Sequence, residues 1–92
     1  MKYNVKFTSQ FKKDIKLAGN RSKNLDELFS VIEALADDVS LEERYRDHSL
    51  KGKYSGYREC HIEPDWLLVY QKVEDCLVLI LYRLGSHSDL FW

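Results

Sequence analysis

The sequence lacks the features that mark membrane-spanning, secreted or disordered chains. Its 92 residues include one proline and four glycines, and no apolar run is long enough to cross a bilayer. Residues 1–7 alternate between apolar and polar side chains, unlike a secretory signal. We therefore expect a cytoplasmic protein with no membrane contact. The two cysteines, Cys60 and Cys76, lie in segments predicted to be strands, and we expect both to be reduced thiols.

The chain also lacks an excess of charge, since its net charge is −1. No global field therefore attracts it to nucleic acid. The charges are nevertheless segregated: residues 2–23 carry seven basic side chains and one acid, and residues 24–50 carry eight acids and two arginines. From charge alone we favour two solvated helix faces. The alternative is that the basic segment faces a polyanion.

Apolar side chains make up 45% of the sequence and aromatic ones 13%, which is typical of a globular protein. At this length we expect a single domain over residues 1–92. The first segment, residues 3–7, alternates as a strand with one buried face. Thr8 or Ser9 is then suited to cap a helix with Phe11, Ile15 and Ala18 on one face.

A second helix and a group of strands follow. Asn24 with Glu27 is a capping pattern, and the helix that it begins is expected to end near Asp37 or Asp38. Residues 41–46 allow one helical turn, and residues 47–56 are predicted to be a loop. Strands are predicted at residues 57–62, 66–73 and 76–82, with Pro64 at a turn or bulge. The order of strand, two-helix hairpin and three-stranded antiparallel meander predicts an α+β domain.

Ionisable side chains are concentrated in two stretches, residues 57–70 and 83–91. The first stretch carries Arg58, Glu59, His61, Glu63 and Asp65 together with Trp66. The second carries Arg83, His87 and Asp89 with Phe91. A strand buried only for stability would not hold so many charged groups. We expect the two stretches to form one site on one face of the sheet.

Three histidines, His48, His61 and His87, with Asp65 fit two kinds of site. Imidazoles and a carboxylate bind zinc, and a neutral and a charged histidine together perform acid–base catalysis. The spacings match no short metal motif, so we expect no metal.

Three further side chains have open roles at this point. Arg83 either caps the strand that precedes it, pairs with Glu63 or Asp65, or binds a phosphate. Trp66 and Phe91 are suited either to the core or to stacking on nucleobases.

Several motifs together resemble a known family. The run DHSLKGKYSGYRECHIEPDWLLVY, the later RLGSHSDLF and the early FKKDIK are similar to the YafQ branch of the RelE-type toxins. This resemblance covers nearly the whole chain. It implies the RelE-like microbial RNase fold and an endoribonuclease that cleaves messenger RNA at the ribosomal A site without a metal or other cofactor. It also implies a cognate antitoxin, through which the complex would bind operator DNA.

The resemblance also assigns roles to residues. It places His48, His61, Asp65 and His87 in the catalytic set. It also implies that Arg83 stabilises the negative charge of the phosphate. Trp66 and Phe91 would support or stack on the substrate, and Lys51 and Arg58 are expected to bind it. We expect His87 to be one proton-transfer partner and His48, His61 or Asp65 the other.

One feature departs from the family pattern, and it leaves a second function open. Many such toxins are clearly basic, whereas this chain is nearly neutral. An enzyme that relies on the ribosome to present its substrate needs little charge of its own. The alternative function is a module of the same fold that blocks translation without cutting RNA.

Overall fold

A computed structural model describes residues 1–91, with Phe91 described in its backbone only. The described strands are β1 (Asn4–Phe7), β2 (His48–Ser49), β3 (Arg58–Glu63), β4 (Trp66–Val73) and β5 (Val78–Gly85). The described α-helices are α1 (Ser9–Asn20), α2 (Leu25–Ala36) and α3 (His87–Phe91). Short 3₁₀ turns occupy Glu43–Tyr45, Gly52–Tyr54 and Glu74–Cys76.

The strands form one sheet in the order β1-β5-β4-β3-β2. The meander of β3, β4 and β5 is antiparallel, and β1 joins its edge parallel to β5. A parallel neighbour needs a long connection, and the chain between β1 and β5 runs through the α1–α2 hairpin and the other three strands. The predicted α+β order of strand, two helices and antiparallel strands is confirmed. The sequence did not predict where the first strand joins the sheet.

Both helices begin at the predicted caps. The Thr8 hydroxyl accepts from the Phe11 N–H at 3.0 Å, so Thr8 and not Ser9 caps α1. The Asn24 side chain accepts from the Glu27 N–H at 3.1 Å, and α2 ends at Ala36, one residue before the predicted boundary. Each cap satisfies a backbone N–H that has no partner inside its helix.

The core lies between the two helices and the sheet. α1 contributes Phe11 and Ala18, α2 contributes Leu28, Val31 and Leu35, and the sheet contributes Cys60, Leu68, Tyr70, Leu79 and Leu81. Burying each large apolar side chain contributes roughly 1.5–3 kcal/mol before entropy is subtracted. Because this core covers one face of β3, the opposite face of that strand remains available for polar groups.

Three local predictions are wrong. Residues 48–49 form β2 against β3 within the predicted loop, with His48 opposite Glu59. Cys76 lies in a 3₁₀ turn and is exposed, because Leu77 takes a left-handed conformation (φ 52°) that delays β5 until Val78. β5 continues to Gly85, so Arg83 lies inside the strand.

Both cysteines are free thiols. No helix in residues 1–91 is long and apolar enough to cross a membrane.

Candidate active site

Three histidines from separate elements meet on one side of the sheet. The ring centroids of His48 in β2 and His61 in β3 are 6.3 Å apart, and those of His61 and His87 are 5.7 Å apart. The pairing of His48 with Glu59 places the first ring, because Glu59 and His61 point to the same face of β3. His87 lies near the other two histidines because β5 ends at Gly85, opposite Leu67, and the chain then enters α3 at His87.

Asp65 fixes the position of His87. One carboxylate oxygen, Oδ1, accepts the His87 backbone N–H at 3.0 Å and lies 2.7 Å from the ring Nδ1. The bond from that backbone N–H, followed by the bond from the ring, lowers the pKa of Asp65 below its usual value. An ionised carboxylate only accepts, so Nδ1 carries the proton and Nε2 is the ring nitrogen left for a substrate.

Glu59 lies in one of the two stretches expected to form the site, but no role was assigned to it from the sequence. Its carboxylate is only 6% exposed, and its Oε1 lies 3.5 Å from His48 Nε2 and 3.6 Å from His61 Nε2. On the far side of these rings, His48 Nδ1 contacts the Arg46 carbonyl at 2.6 Å and His61 Nδ1 the Pro64 carbonyl at 3.2 Å. The alternation of β3 was a usable signal, since Glu59 and His61 flank the buried Cys60.

One interpretation of the sequence paired Arg83 with Glu63 or Asp65. Within residues 1–91 the structure shows neither pair. The Arg83 guanidinium bonds the buried Asp14 of α1, with Nε–Oδ2 at 2.9 Å and Nη2–Oδ1 at 3.4 Å. The bonds to Asp14 raise the pKa of Arg83. In residues 1–91 no hydrogen bond or ion pair links Arg83 to a histidine. The Arg83 side chain is 28% exposed.

The residues predicted to bind substrate lie in different surroundings. Arg58 bonds Asp47 (Nη2–Oδ2 3.3 Å) and the Tyr70 hydroxyl (3.3 Å), which restrains it. Trp66 is 3% exposed and packs in the core. Lys51 is exposed just before a 3₁₀ turn. The side chain of Phe91 lies outside the described residues, so its predicted role stays a prediction.

Two cavities flank the histidines. One of about 230 Å³ lies between the end of α1 and the β3–β4 turn, and its walls include Arg21, Lys23, Asp65 and Trp66. The other, of about 350 Å³, is bordered by His61, the β3–β4 turn and the 3₁₀ turn before β2. Both are partly open to solvent, as a site for a polymer must be.

A metal could also fit at this place. Glu59, His61 and His87 each offer one ligand atom, and these atoms lie within 4.8 Å of one another. Two imidazoles and one carboxylate with an open position form a donor set of catalytic zinc. The set differs from the one considered from the sequence, because Glu59 takes part and His48 and Asp65 do not.

Comparison with known proteins places this geometry in context. The family model described as "Bacterial toxin of type II toxin-antitoxin system, YafQ" matches residues 3–92. The mRNA interferase toxin YafQ of Escherichia coli K12 is 40% identical over 88 residues, with 95% of this chain and 94% of the relative covered. A putative YafQ toxin of Haemophilus influenzae is 36% identical over 90 residues, covering 92% and 88%.

Solved structures agree with the sequence matches. The E. coli DinJ–YafQ complex matches with a TM-score of 0.90 at 35% identity, covering 98% of this chain and 99% of that one. A metal-bound toxin from Helicobacter pylori matches with a TM-score of 0.92 at 42% identity, covering 97% and 99%. Both matches extend over nearly the whole chain.

Proposed function

The chain belongs to the YafQ family of bacterial toxins of type II toxin–antitoxin systems, and on this basis we propose that it is an mRNA interferase. The observation that carries the proposal is the cluster of His48, His61 and His87 with Asp65 and Glu59 beside them. It joins proton donors and acceptors from three parts of the chain at one open surface.

We propose that cleavage uses the ribose 2′-hydroxyl. Its oxygen attacks the phosphorus and gives its proton to a base, and the bond to the 5′-oxygen breaks as an acid protonates that oxygen. The products are a 2′,3′-cyclic phosphate and a 5′-hydroxyl. His87 is one proton-transfer partner, because Asp65 holds its Nδ1 and leaves Nε2 free. Since Asp65 is engaged in this way, His61 or His48 is the better second partner.

The negative charge of the transition state also needs a positive group to stabilise it. Negative charge grows on the phosphate oxygens as the 2′-oxygen attacks, and fixed positive groups stabilise it. Arg83 has this role in the proposal, positioned by Asp14 and with part of its side chain exposed. Glu59 orients the rings of His48 and His61 from beneath.

The charge balance supports the proposal that cleavage depends on the ribosome. A protein of net charge −1 gains little affinity for RNA from its overall field, because phosphate binding depends on clustered positive charge. We propose that the ribosomal A site presents the message and that the enzyme works in the cytoplasm. The same dependence allows a slow or absent reaction on free RNA.

The proposed reaction is independent of metal. Acid, base and positive charge are all supplied by side chains, so the chemistry is complete without an ion. Glu59, His61 and His87 would be the residues to hold a metal, which would supply a Lewis acid and activate a bound water. Cleavage that is lost in chelator and restored by zinc would establish the metal-dependent alternative.

Primer extension on a message translated by purified ribosomes tests the proposal. New 5′ ends should appear only with active ribosomes. The matching upstream fragments should carry a 2′,3′-cyclic phosphate at their 3′ ends. Inhibition of translation without new ends would overturn the enzyme proposal and favour the module that blocks translation without cutting. His87→Ala serves as the control protein, because it removes a proposed transfer group whose exposed side chain stands at the start of α3.

A cognate antitoxin is the second proposed partner, and it would carry the complex to operator DNA. Lys12, Lys13 and Lys16 are exposed along α1, and within residues 1–91 none forms an ion pair. They therefore offer a surface for acidic side chains of the antitoxin. Charge reversal of all three should weaken binding strongly at low salt, and Lys53→Glu, which changes charge elsewhere, should have little effect. Unchanged affinity would exclude this surface.

A further inference from the structure

The cavity of about 350 Å³ has a composition that suits one nucleotide. Arg44, Tyr45 and Arg46 line one wall, and His61 and the turn after it line the other. Its volume lies within the range of about 300–1,000 Å³ that small ligands occupy. Because His61 belongs both to this wall and to the histidine cluster, an occupant would lie next to the reacting bond.

The two arginines of this cavity are not equivalent. Arg44 is partly neutralised, with Nη2 3.1 Å from Glu27 and Nε 3.5 Å from Glu42. Arg46 is exposed and forms no ion pair within the described chain. Its positive charge is therefore available to an anion, and a guanidinium fork suits a phosphate.

The backbone of Arg46 is fixed close to the reacting groups. Its φ of 48° is left-handed, which is strained for a side chain of this size. The Arg46 N–H donates to the Glu43 carbonyl at 2.9 Å, and the Arg46 carbonyl accepts from His48 Nδ1 at 2.6 Å. One residue thus orients a site histidine through its carbonyl and offers a free cation from its side chain.

The opposite wall supplies contacts for a base and a sugar. Pro64 presents an apolar ring, and Glu63 is the one acid among the described residues that line this cavity. A carboxylate would repel a phosphate placed beside it, but it accepts hydrogen bonds from a base amino group or a ribose hydroxyl. The charges therefore orient a nucleotide with its phosphate toward Arg46 and its base or sugar toward Glu63.

We infer that this cavity binds the nucleotide next to the cleaved bond and that Arg46 contacts the phosphate flanking that bond. The inference rests on the proposed ribonuclease function and adds a binding site to it. It predicts a loss of substrate binding, and not of the chemical step, when the Arg46 charge is removed.

The test compares the parent toxin with Arg46→Gln and Arg46→Lys on translated messages. Arg46→Gln should raise the toxin concentration for half-maximal cleavage roughly 10-fold or more, with the maximal rate retained. Arg46→Lys should recover part of the loss. Lys53→Gln removes the same charge from a neighbouring turn and should behave as the parent.

A change in the RNA makes the test specific. Two messages are compared, each with an uncharged methylphosphonate in place of one of the two phosphates that flank the cleaved bond. The parent toxin should bind only one of these two messages more weakly than the unmodified message. At that position Arg46→Gln should show no further loss, because the contact is already absent. Parent-like cleavage by Arg46→Gln, or equal sensitivity of both proteins to each methylphosphonate, would overturn the inference while leaving the ribonuclease activity established. A parent toxin that does not cut would instead refute the proposed function.

Discussion

The two carboxylates at the site differ in their surroundings and therefore in their chemistry. Asp65 is in an exposed turn, with 68% of its side chain accessible, and two bonds from His87 lower its pKa. Glu59 is 6% exposed beneath two imidazoles, in a position where a lone carboxylate would be costly. Asp65 can thus orient a ring in contact with solvent, whereas Glu59 acts from inside the protein.

Replacing His87 should remove one proton-transfer partner. His87→Ala should slow single-turnover cleavage by ~10²–10⁴-fold and flatten one limb of its pH profile. Arg83→Ala should slow it by ~10²–10³-fold and keep the profile's shape, because a charge clamp does not titrate in this range. Circular dichroism controls for folding. A folded His87→Ala protein with the parental rate and profile would remove His87 from the mechanism.

Asp14 should act through Arg83. Asp14→Asn removes charge from a side chain that also accepts the Leu84 N–H at 2.9 Å, so we expect a loss of about 1–3 kcal/mol of stability. Cleavage should fall as well, and Arg83→Ala should cost less in the Asp14→Asn background than alone. The exposed Asp75→Asn provides a charge-matched control. Additive rate effects of Asp14→Asn and Arg83→Ala would show that the two residues act independently.

At the scale of elements, the start of α1 couples a helix to the sheet. The Thr8 hydroxyl accepts from the Phe11 N–H and donates to the Tyr82 carbonyl of β5 at 2.8 Å. This one side chain follows β1, caps α1 and links both to β5. The position of Asp14, two turns later, therefore depends on this cap.

Thr8→Ala should lower the free energy of unfolding by about 1–2 kcal/mol, because it leaves a helix N–H and a strand carbonyl without their partner. Thr8→Ser keeps the hydroxyl and should recover most of the stability. Urea denaturation measures both variants. Ser9→Ala, at the exposed first position of α1, should change stability by less than about 0.5 kcal/mol. Equal losses for Thr8→Ala and Ser9→Ala would contradict this account.

At the scale of the whole molecule, Asp38 joins three distant segments. Its carboxylate accepts from Lys2 Nζ at 2.8 Å, before β1, and from Lys72 Nζ at 2.9 Å, in β4. The bond from Lys2, followed by that from Lys72, lowers the pKa of Asp38 to about 2. A carboxylate whose pKa is depressed by folding stabilises the protein above its unfolded pKa and loses this effect as pH falls through the folded value.

Asp38→Asn should therefore lower the Tm at neutral pH. The gap to the parent protein should shrink as the pH falls from the ordinary value of 3.8 toward 2. Thermal melts over this range, followed by circular dichroism, measure the effect. Asp26→Asn changes an exposed carboxylate on α2 and should give no such convergence. A gap that stayed constant with pH would mean that Asp38 contributes through packing.

Local patterns in the sequence determined the elements and most of the site's members. Thr8 and Asn24 were identifiable as caps because a cap and its partner are three residues apart. The three histidines and Asp65 were predicted to meet, and they do. Residue type pointed to His61, Asp65 and His87 in the two charged stretches, and the family resemblance added His48, which lies in a segment predicted to be a loop.

The tertiary structure alone decided which charges pair. Arg83 bonds Asp14, 69 positions earlier, because β1 pairs parallel to β5 and α1 crosses that edge. Glu59 lies between two imidazoles only because the short β2 pairs with β3. Sequence spacing determines which face of a strand a residue occupies. The choice of partner depends on strand order and register, which are fixed by the packing of the whole core.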